Sequence, residues 1–256
     1  MYAEERQQAI ADQVRANGRA SVTALATLFD VTSETVRRDL AVLERSGHLQ
    51  RVHGGAVRPG TTPVLGEQGI DERQMTRTDQ KLAIGRTATR FLPPDGGSVF
   101  FDAGTTTYQA ALAMPRDRRL TLITHSIPIA AALADNRSSD LHVLGGRVRG
   151  LTQATVGAET VAALERLRVS TAFVGSNGIS QSHGLSTPDP DEAAIKSAIV
   201  RVANRVVVLA DSSKIDREDL SSFADLNDVD VLVTDDDIDP VTSAALSARG
   251  IDVVIA

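Results

Sequence analysis

Apolar positions in the first sixty residues recur at the spacing of short helices. Ile10 and Val14 fall four apart in a segment that the pattern predicts as a helix over about Ala3 to Arg15, with Asn17-Gly18 as its stop. Ser21 then precedes Val22, Leu25, Ala26 and Phe29, a set spaced for burial on one side of a second helix. Asp30-Val31 makes a tight link. Thr32 or Ser33 can cap a third helix that runs to Ser46, before Gly47, and repeats Val36, Leu40 and Leu43 on its inner side. Beyond it, H-L-Q-R-V-H-G-G-A-V-R alternates and turns at Gly54-Gly55, which predicts a two-stranded hairpin.

From about Gln80 the pattern changes. A helix to Leu92, with Leu82, Ile84, Ala88 and Phe91 inward, stops at Pro93-Pro94. Short apolar runs such as S-V-F-F-D, L-T-L-I-T, T-A-F-V-G, V-V-V-L-A and V-D-V-L-V-T then alternate with helical stretches, the signature of an α/β domain on a mainly parallel sheet. Between the two patterns, Arg58-Pro59-Gly60-Thr61-Thr62-Pro63 and the polar run to Asp79 keep no sustained period. The expected organisation is a small helical domain at 1–58, a linker at 59–79 and an α/β domain at 80–256.

Three short helices and a hairpin predict a winged helix-turn-helix that binds DNA. The free face of its third helix carries Ser33, Glu34, Thr35, Arg37 and Arg38 near the helix N-terminus, the end that enters the major groove in this motif. Arg37 or Arg38 can bond a guanine bidentately, and the hydroxyls can meet bases or phosphates. Arg51 and His53 would stand near the wing tip, within reach of a flanking phosphate or the minor groove. Asp39 can instead pair locally with an arginine. The net charge of -6 argues weakly against nucleic acid, but its distribution reverses that: residues 1–60 hold eight arginines against seven acids, and the remainder nineteen basic against twenty-six acidic residues. The absence of cysteine excludes disulfides, and the five histidines have no zinc-like spacing. With no apolar run near the roughly 20 residues of a membrane span and no signal-peptide pattern, a cytoplasmic protein without cofactor, metal or membrane partner is expected.

In parallel sheets, ligands sit beyond the carboxyl ends of strands. The segment F-F-D-A-G-T-T-T ends a strand at Asp102 and opens a helix with Gly104, Thr105, Thr106 and Thr107, where free N–H groups and hydroxyls can cradle a phosphate. Arg147 and Arg149 can neutralise a ligand or form salt bridges. Gly175 and Gly178 allow a tight pass, and Asn177 can bond a hydroxyl. Thr187 or Asp189 can cap a helix whose Glu192 either faces the pocket or pairs with Lys196 on the surface. Lys214, after the strand V-V-V-L-A, is the best cationic phosphate partner.

The segments Y-A-E-E-R-Q-Q-A-I, V-T-S-E-T-V-R-R-D-L-A-V-L-E-R-S-G-H-L and R-V-H-G-G-A closely resemble the DeoR family of bacterial transcriptional regulators. D-A-G-T-T-T, the helix with Lys81 and Ile84-Gly85, G-G-R, F-V-G-S-N-G, G-L-S-T-P-D and A-D-S-S-K are similar to that family's sensor domain, which is related in fold to ribose-phosphate isomerase and glucosamine-phosphate deaminase. The resemblance spans essentially the whole chain. It implies a multimer, homodimer or homotetramer, that binds double-stranded operator DNA, represses sugar or nucleoside operons and lets go when a phosphorylated sugar binds. Gly104 to Thr106 and Lys214 would then surround the phosphate and Asp102 the sugar hydroxyls. Similarity to regulators of fructose or phosphotransferase sugar operons puts fructose 1-phosphate first among effectors, ahead of fructose 1,6-bisphosphate or another hexose phosphate. His125 stands where the family more often has Asn, and G-L-S-T replaces G-L-T-T after His183, so His125 either alters one corner of the site or lies outside it. Isomerase or deaminase turnover needs a positioned acid and base, which no spacing supplies; a scaffold using the helices for protein contacts is the other alternative. A regulator, not an enzyme, is expected.

Overall fold

The computed structural model describes residues 3–17, 19–52, 55–57 and 69–256, and the chain divides into two compact units, residues 1–67 and 68–256. In the first unit α1 (Ala3–Asn17), β1 (Arg19–Ser21), α2 (Val22–Phe29) and α3 (Ser33–Arg45) precede β2 (Gln50–Val52) and β3 (Gly55–Val57). Ile10, Val14, Leu25, Val36, Leu40 and Leu43 bury together, because spacings of three and four put them on facing sides of three helices. The hairpin is the middle and one edge of a three-stranded antiparallel sheet in the order β1-β3-β2. The extra strand escapes the periodicity because three residues, Arg19 to Ser21, are too few to display alternation.

The second unit opens with α4 (Ile70–Gln74) and α5 (Thr78–Ala88), continuing through a 3-10 turn at Thr89–Phe91 into β4 (Ser98–Phe101). There follow α6 (Thr105–Ala113), β5 (Thr121–Thr124), α7 (Ile127–Leu133), β6 (Asp140–Val143), β7 (Arg147–Arg149), β8 (Ala154–Val156) and α8 (Ala158–Leu164). The remainder comprises β9 (Thr171–Val174), β10 (Gly178–Ser180), β11 (Gly184–Thr187), α9 (Pro190–Val202), β12 (Val206–Leu209), β13 (Ser221–Ala224), β14 (Val231–Thr234), α10 (Pro240–Ser247) and β15 (Asp252–Ile255). Residues 70–79, expected as linker, therefore hold one short helix and the start of another, with Ile70 buried. A five-residue helix is too short to leave a periodic trace.

Seven strands make an all-parallel sheet in the order β15-β14-β12-β9-β4-β5-β6. Its central strands are buried on both faces, which is why they read as unbroken apolar runs rather than alternations. Phe100, Val174 and Val208 pack on one side with α8, α9 and α10, while Phe101, Phe173 and Leu209 pack on the other with α5, α6 and α7. Two smaller antiparallel sheets, β7-β8 and β10-β11-β13, stand apart from it. From β4 the chain winds outward through β5 and β6. From β9 it winds the opposite way through β12, β14 and β15. The reversal between β4 and β9 opens a crevice at their carboxyl ends, where such sheets bind ligands.

Two local devices shape that crevice. Arg77, immediately before α5, takes a left-handed backbone (φ 51°) that a non-glycine residue adopts at a cost. Its guanidinium anchors the turn to Asp235 at 3.0 Å, Asp237 at 2.6 Å and Asp211 at 3.3 Å. Gly85 lets α5 lie directly on α6: a Cβ there would stand 2.6 Å from the Gln109 carbonyl carbon. Because that neighbour is backbone, it cannot swing aside. Gly85→Ala is expected to destabilise the second unit by about 1–3 kcal/mol; denaturant unfolding within a few tenths of wild type would show the helices have more room than this.

Candidate functional site

In the first unit, the Thr32 hydroxyl caps α3 by accepting the Thr35 N–H at 3.2 Å, and the two threonine hydroxyls lie 2.9 Å apart. Val36, Asp39, Leu40 and Leu43 turn inward, leaving Glu34, Arg37 and Arg38 exposed, with Ser33 and Thr35 half-buried beside the cap. Arg37 stands 3.6 Å from Glu34, and both side chains are open to water. Such a pair contributes little and is readily exchanged for a phosphate or a base edge. Asp39 faces the other way: it accepts from Arg6 Nε at 2.6 Å and Gln7 Nε2 at 2.9 Å, both on α1. The acid thus ties α3 to α1 through partners more than thirty residues away, not through the local arginine expected. Arg51 lies in β2 but its side chain is outside the described residues, as are His53 and Arg58.

In the second unit, a cleft opens at the β4/β9 reversal. One half is lined by Arg73, Thr76, Lys81, Gly104, Thr105, Thr106, Ser213 and Lys214, among others, and the other half by Ile70, Thr152, Asn177, Glu192 and Lys196, with Arg73, Gly104 and Gly175 shared. The first half is a cation cluster around the N-terminus of α6. Lys81 donates to the Thr76 carbonyl at 2.6 Å and to the Arg73 carbonyl. Burial pulls its ammonium down to about 8; Asp211 opposes that shift, while Arg73, Lys214 and Arg77 push in the same direction. Burial also lowers Lys214, against Asp211 and with Arg73 and Arg217. Asp211, the acid in this half, already faces Arg77 and the Ser213 N–H. Positive charge and helix N–H groups converge there in excess, the arrangement that receives an anion.

Beneath the second half lies Asp102, with no exposed surface. Its Oδ2 accepts the Gly175 N–H at 2.9 Å and the Lys196 ammonium, and its Oδ1 lies 3.1 Å from His125 Nε2. The other imidazole nitrogen, Nδ1, donates to the Thr155 carbonyl at 2.9 Å, so the ring is held at both ends. Burial would raise the Asp102 carboxyl, but Lys196 and His125 outweigh it and hold the group at about 2. Lys196 also donates to the Gly175 carbonyl at 2.9 Å and lies over the Phe223 ring.

Residues 76–236 match the DeoR C-terminal sensor domain model and residues 6–62 the DeoR-like helix-turn-helix domain. The chain belongs to the DeoR family of DNA-binding transcriptional regulators. This regulator is 34% identical over 254 residues to the HTH-type transcriptional regulator GlpR of Haloferax volcanii, covering 99% of the chain and 98% of the relative. It is 33% identical to the HTH-type transcriptional repressor GlcR of Bacillus subtilis (92% and 89% covered) and 31% identical to the lactose phosphotransferase system repressor of Lactococcus lactis (94% of each). These relatives are regulators, and the sensor domain of this one is a binding rather than a catalytic unit.

The regulator's fold brings Gly104, Thr105, Thr106, Asn177, Glu192 and Lys214 to one cleft. Other expected residues lie elsewhere. Asp102 and His125 are buried behind the lining, and the carboxylate oxygens expected for sugar hydroxyls are both engaged by protein groups. Arg149 bonds Asp189 at 3.0 Å and Glu192 at 3.1 Å instead of lining the cleft, and Arg147 pairs with Asp191 at the surface. Glu192 and Lys196 do not pair: both are buried, each with a different partner. Arg73 and Thr76 are additions from the expected linker. Among the described residues, Asp235, Asp236 and Asp237 are the acidic group close enough to share a cation, yet Arg77 already engages two of them. No described helix is long and apolar enough to cross a membrane.

Asp102 gains stability from its lowered pKa: that contribution is complete above the ordinary value of 3.8 and is lost as pH falls toward about 2. Asp102→Asn strands the buried Lys196 charge and is expected to cost about 3–5 kcal/mol at pH 7. The gap to wild type should shrink as pH is lowered below the ordinary value of 3.8. A gap of equal size at neutral pH and near the folded-state pKa, read by urea unfolding, would mean the ion pair is not what stabilises the site.

Proposed function

We propose that this regulator represses an operon for uptake or use of a phosphotransferase-system sugar, with fructose the first candidate, and leaves its operator when a phosphorylated sugar fills the cleft. The observation that carries the reading is the surplus of Arg73, Lys81 and Lys214 around the N-terminus of α6, with Asp211 already committed to Arg77. A phosphate supplies the missing charge and accepts from the α6 N–H groups and the Thr105 and Thr106 hydroxyls. The names of two relatives, GlcR as a repressor and the Lactococcus lactis protein as a lactose phosphotransferase system repressor, support the same class of role. Fructose 1-phosphate is the leading effector by resemblance, and a homodimer or homotetramer is the expected form on repeated operator sites.

DNA would be read by Arg37 and Arg38, with Ser33, Glu34 and Thr35 at the same helix end and the hairpin at a flanking phosphate. Coupling would run through residues 70–76, since Ile70, Arg73 and Thr76 line the cleft and follow in sequence the segment leading from the first unit. A sugar phosphate that binds one arrangement of that segment better than another shifts the population toward it.

Arg37→Ala with Arg38→Ala is expected to abolish a footprint on DNA upstream of the regulated sugar genes while leaving sugar-phosphate binding intact; a retained sequence-specific footprint would remove α3 as the reader. Lys214→Ala should weaken release by a sugar phosphate without changing ligand-free DNA binding, and an unaltered dose response would end its phosphate role. Only the protonated Lys81 attracts an anion, and burial lowers its pKa to about 8. Effector affinity should therefore be highest between about pH 6, where a phosphate ester gains its second charge, and pH 8, and fall by up to about tenfold per pH unit above that. Calorimetry across that pKa showing a flat profile in wild type would contradict this.

A further inference from the structure

The two halves of the cleft differ in charge, and the difference limits how many phosphates an effector can carry. In the phosphate half, Arg73, Lys81 and Lys214 outnumber their acids. In the other half, Lys196 and Glu192 are already engaged inside the protein, and two acids share the one Arg149. Lys196 is paired with Asp102 and held by the Gly175 carbonyl. Glu192 accepts from Arg149 at 3.1 Å and from the Thr152 hydroxyl at 2.5 Å, and Asp189, at the head of the same helix, takes the Arg149 Nε at 3.0 Å. What this half offers is a set of donors and acceptors whose cations are already paired, with Asn177, Thr152, Glu192 and Lys196 around the rim.

We infer that the effector is a monophosphate whose far end is an uncharged polyol, and that the cleft selects against sugar bisphosphates. The inference rests on the phosphate reading above and narrows it. A hydroxyl can both give to Glu192 and take from Asn177 or Lys196 at no electrostatic cost. A second phosphate would have to shed its water facing Glu192, with the buried Asp102 carboxylate behind Lys196 and no spare cation among the described residues of that half. Arg73 reaches both halves, but it is one charge and the first phosphate claims it.

The test compares phosphates of one sugar on the full-length protein by calorimetry: fructose 1-phosphate and fructose 6-phosphate against fructose 1,6-bisphosphate, the corresponding glucose set, and inorganic phosphate as baseline. For each sugar that binds, the better monophosphate is expected to exceed its bisphosphate by at least about tenfold. A bisphosphate that binds as well or better overturns the inference while leaving the phosphate reading in place. If no compound in the panel binds, inorganic phosphate included, the phosphate reading itself falls. If inorganic phosphate binds as tightly as every sugar phosphate, the second half does not read a polyol and the inference is lost. Glu192→Gln removes one acid from this half and should narrow the discrimination against the bisphosphate by at least about threefold. A ratio unchanged in this variant, folded by its melting profile, also overturns the inference.

Discussion

A single buried carboxylate organises the sensor half of this molecule. Asp102 ends β4 and is met by the Gly175 N–H after β9, by Lys196 from α9 and by His125 after β5. Taking an acid wholly out of water is expensive, and this one is tolerable because an ammonium and an amide N–H converge on it. The convergence fixes three strand ends at the point where the sheet changes winding direction. The floor of the cleft is thereby tied together, and the residues above it take their positions from a group that does not itself line the cleft.

The cleft's upper part follows the opposite principle. Lys81 is buried and Lys214 half-buried, without full compensation, and they repel one another and Arg73. That repulsion is held in place by the packing of α5 on α6, which the missing side chain of Gly85 permits, and by Arg77, which commits its charge to Asp211, Asp235 and Asp237. Stability surrendered here would be returned by an anion held in the cleft, the usual relation between a poised site and its ligand.

Much of this is legible in the sequence, and the exceptions have physical causes. The helix-turn-helix and the parallel sheet show through periodicity, because apolar residues sustained at one spacing mark a buried face. Gly104, Thr105, Thr106 and Lys214 are readable because a strand end followed by a glycine and a helix cap is a local pattern. Lys196 reads wrongly as half of a surface pair with Glu192, since four-residue spacing is the common signal of a solvated helix face. Its neighbours, Ala193, Ile195, Ala198 and Ile199, are all buried, and a lysine embedded in such a run is the overlooked sign of an internal charge. Arg73 leaves no sign at all: its place in the cleft is set by the tertiary position of a five-residue helix. Arg149 is a cation without a visible partner until folding brings Asp189 and Glu192 from some forty residues away.

The bond from Arg6 to Asp39 has a consequence for how such a protein can be controlled. The back of α3 is tied to α1 by that ion pair as well as by Leu40 and Leu43, so the two helices form one packed piece. On the proposed repressor role, control would act on where that piece is held rather than on its shape.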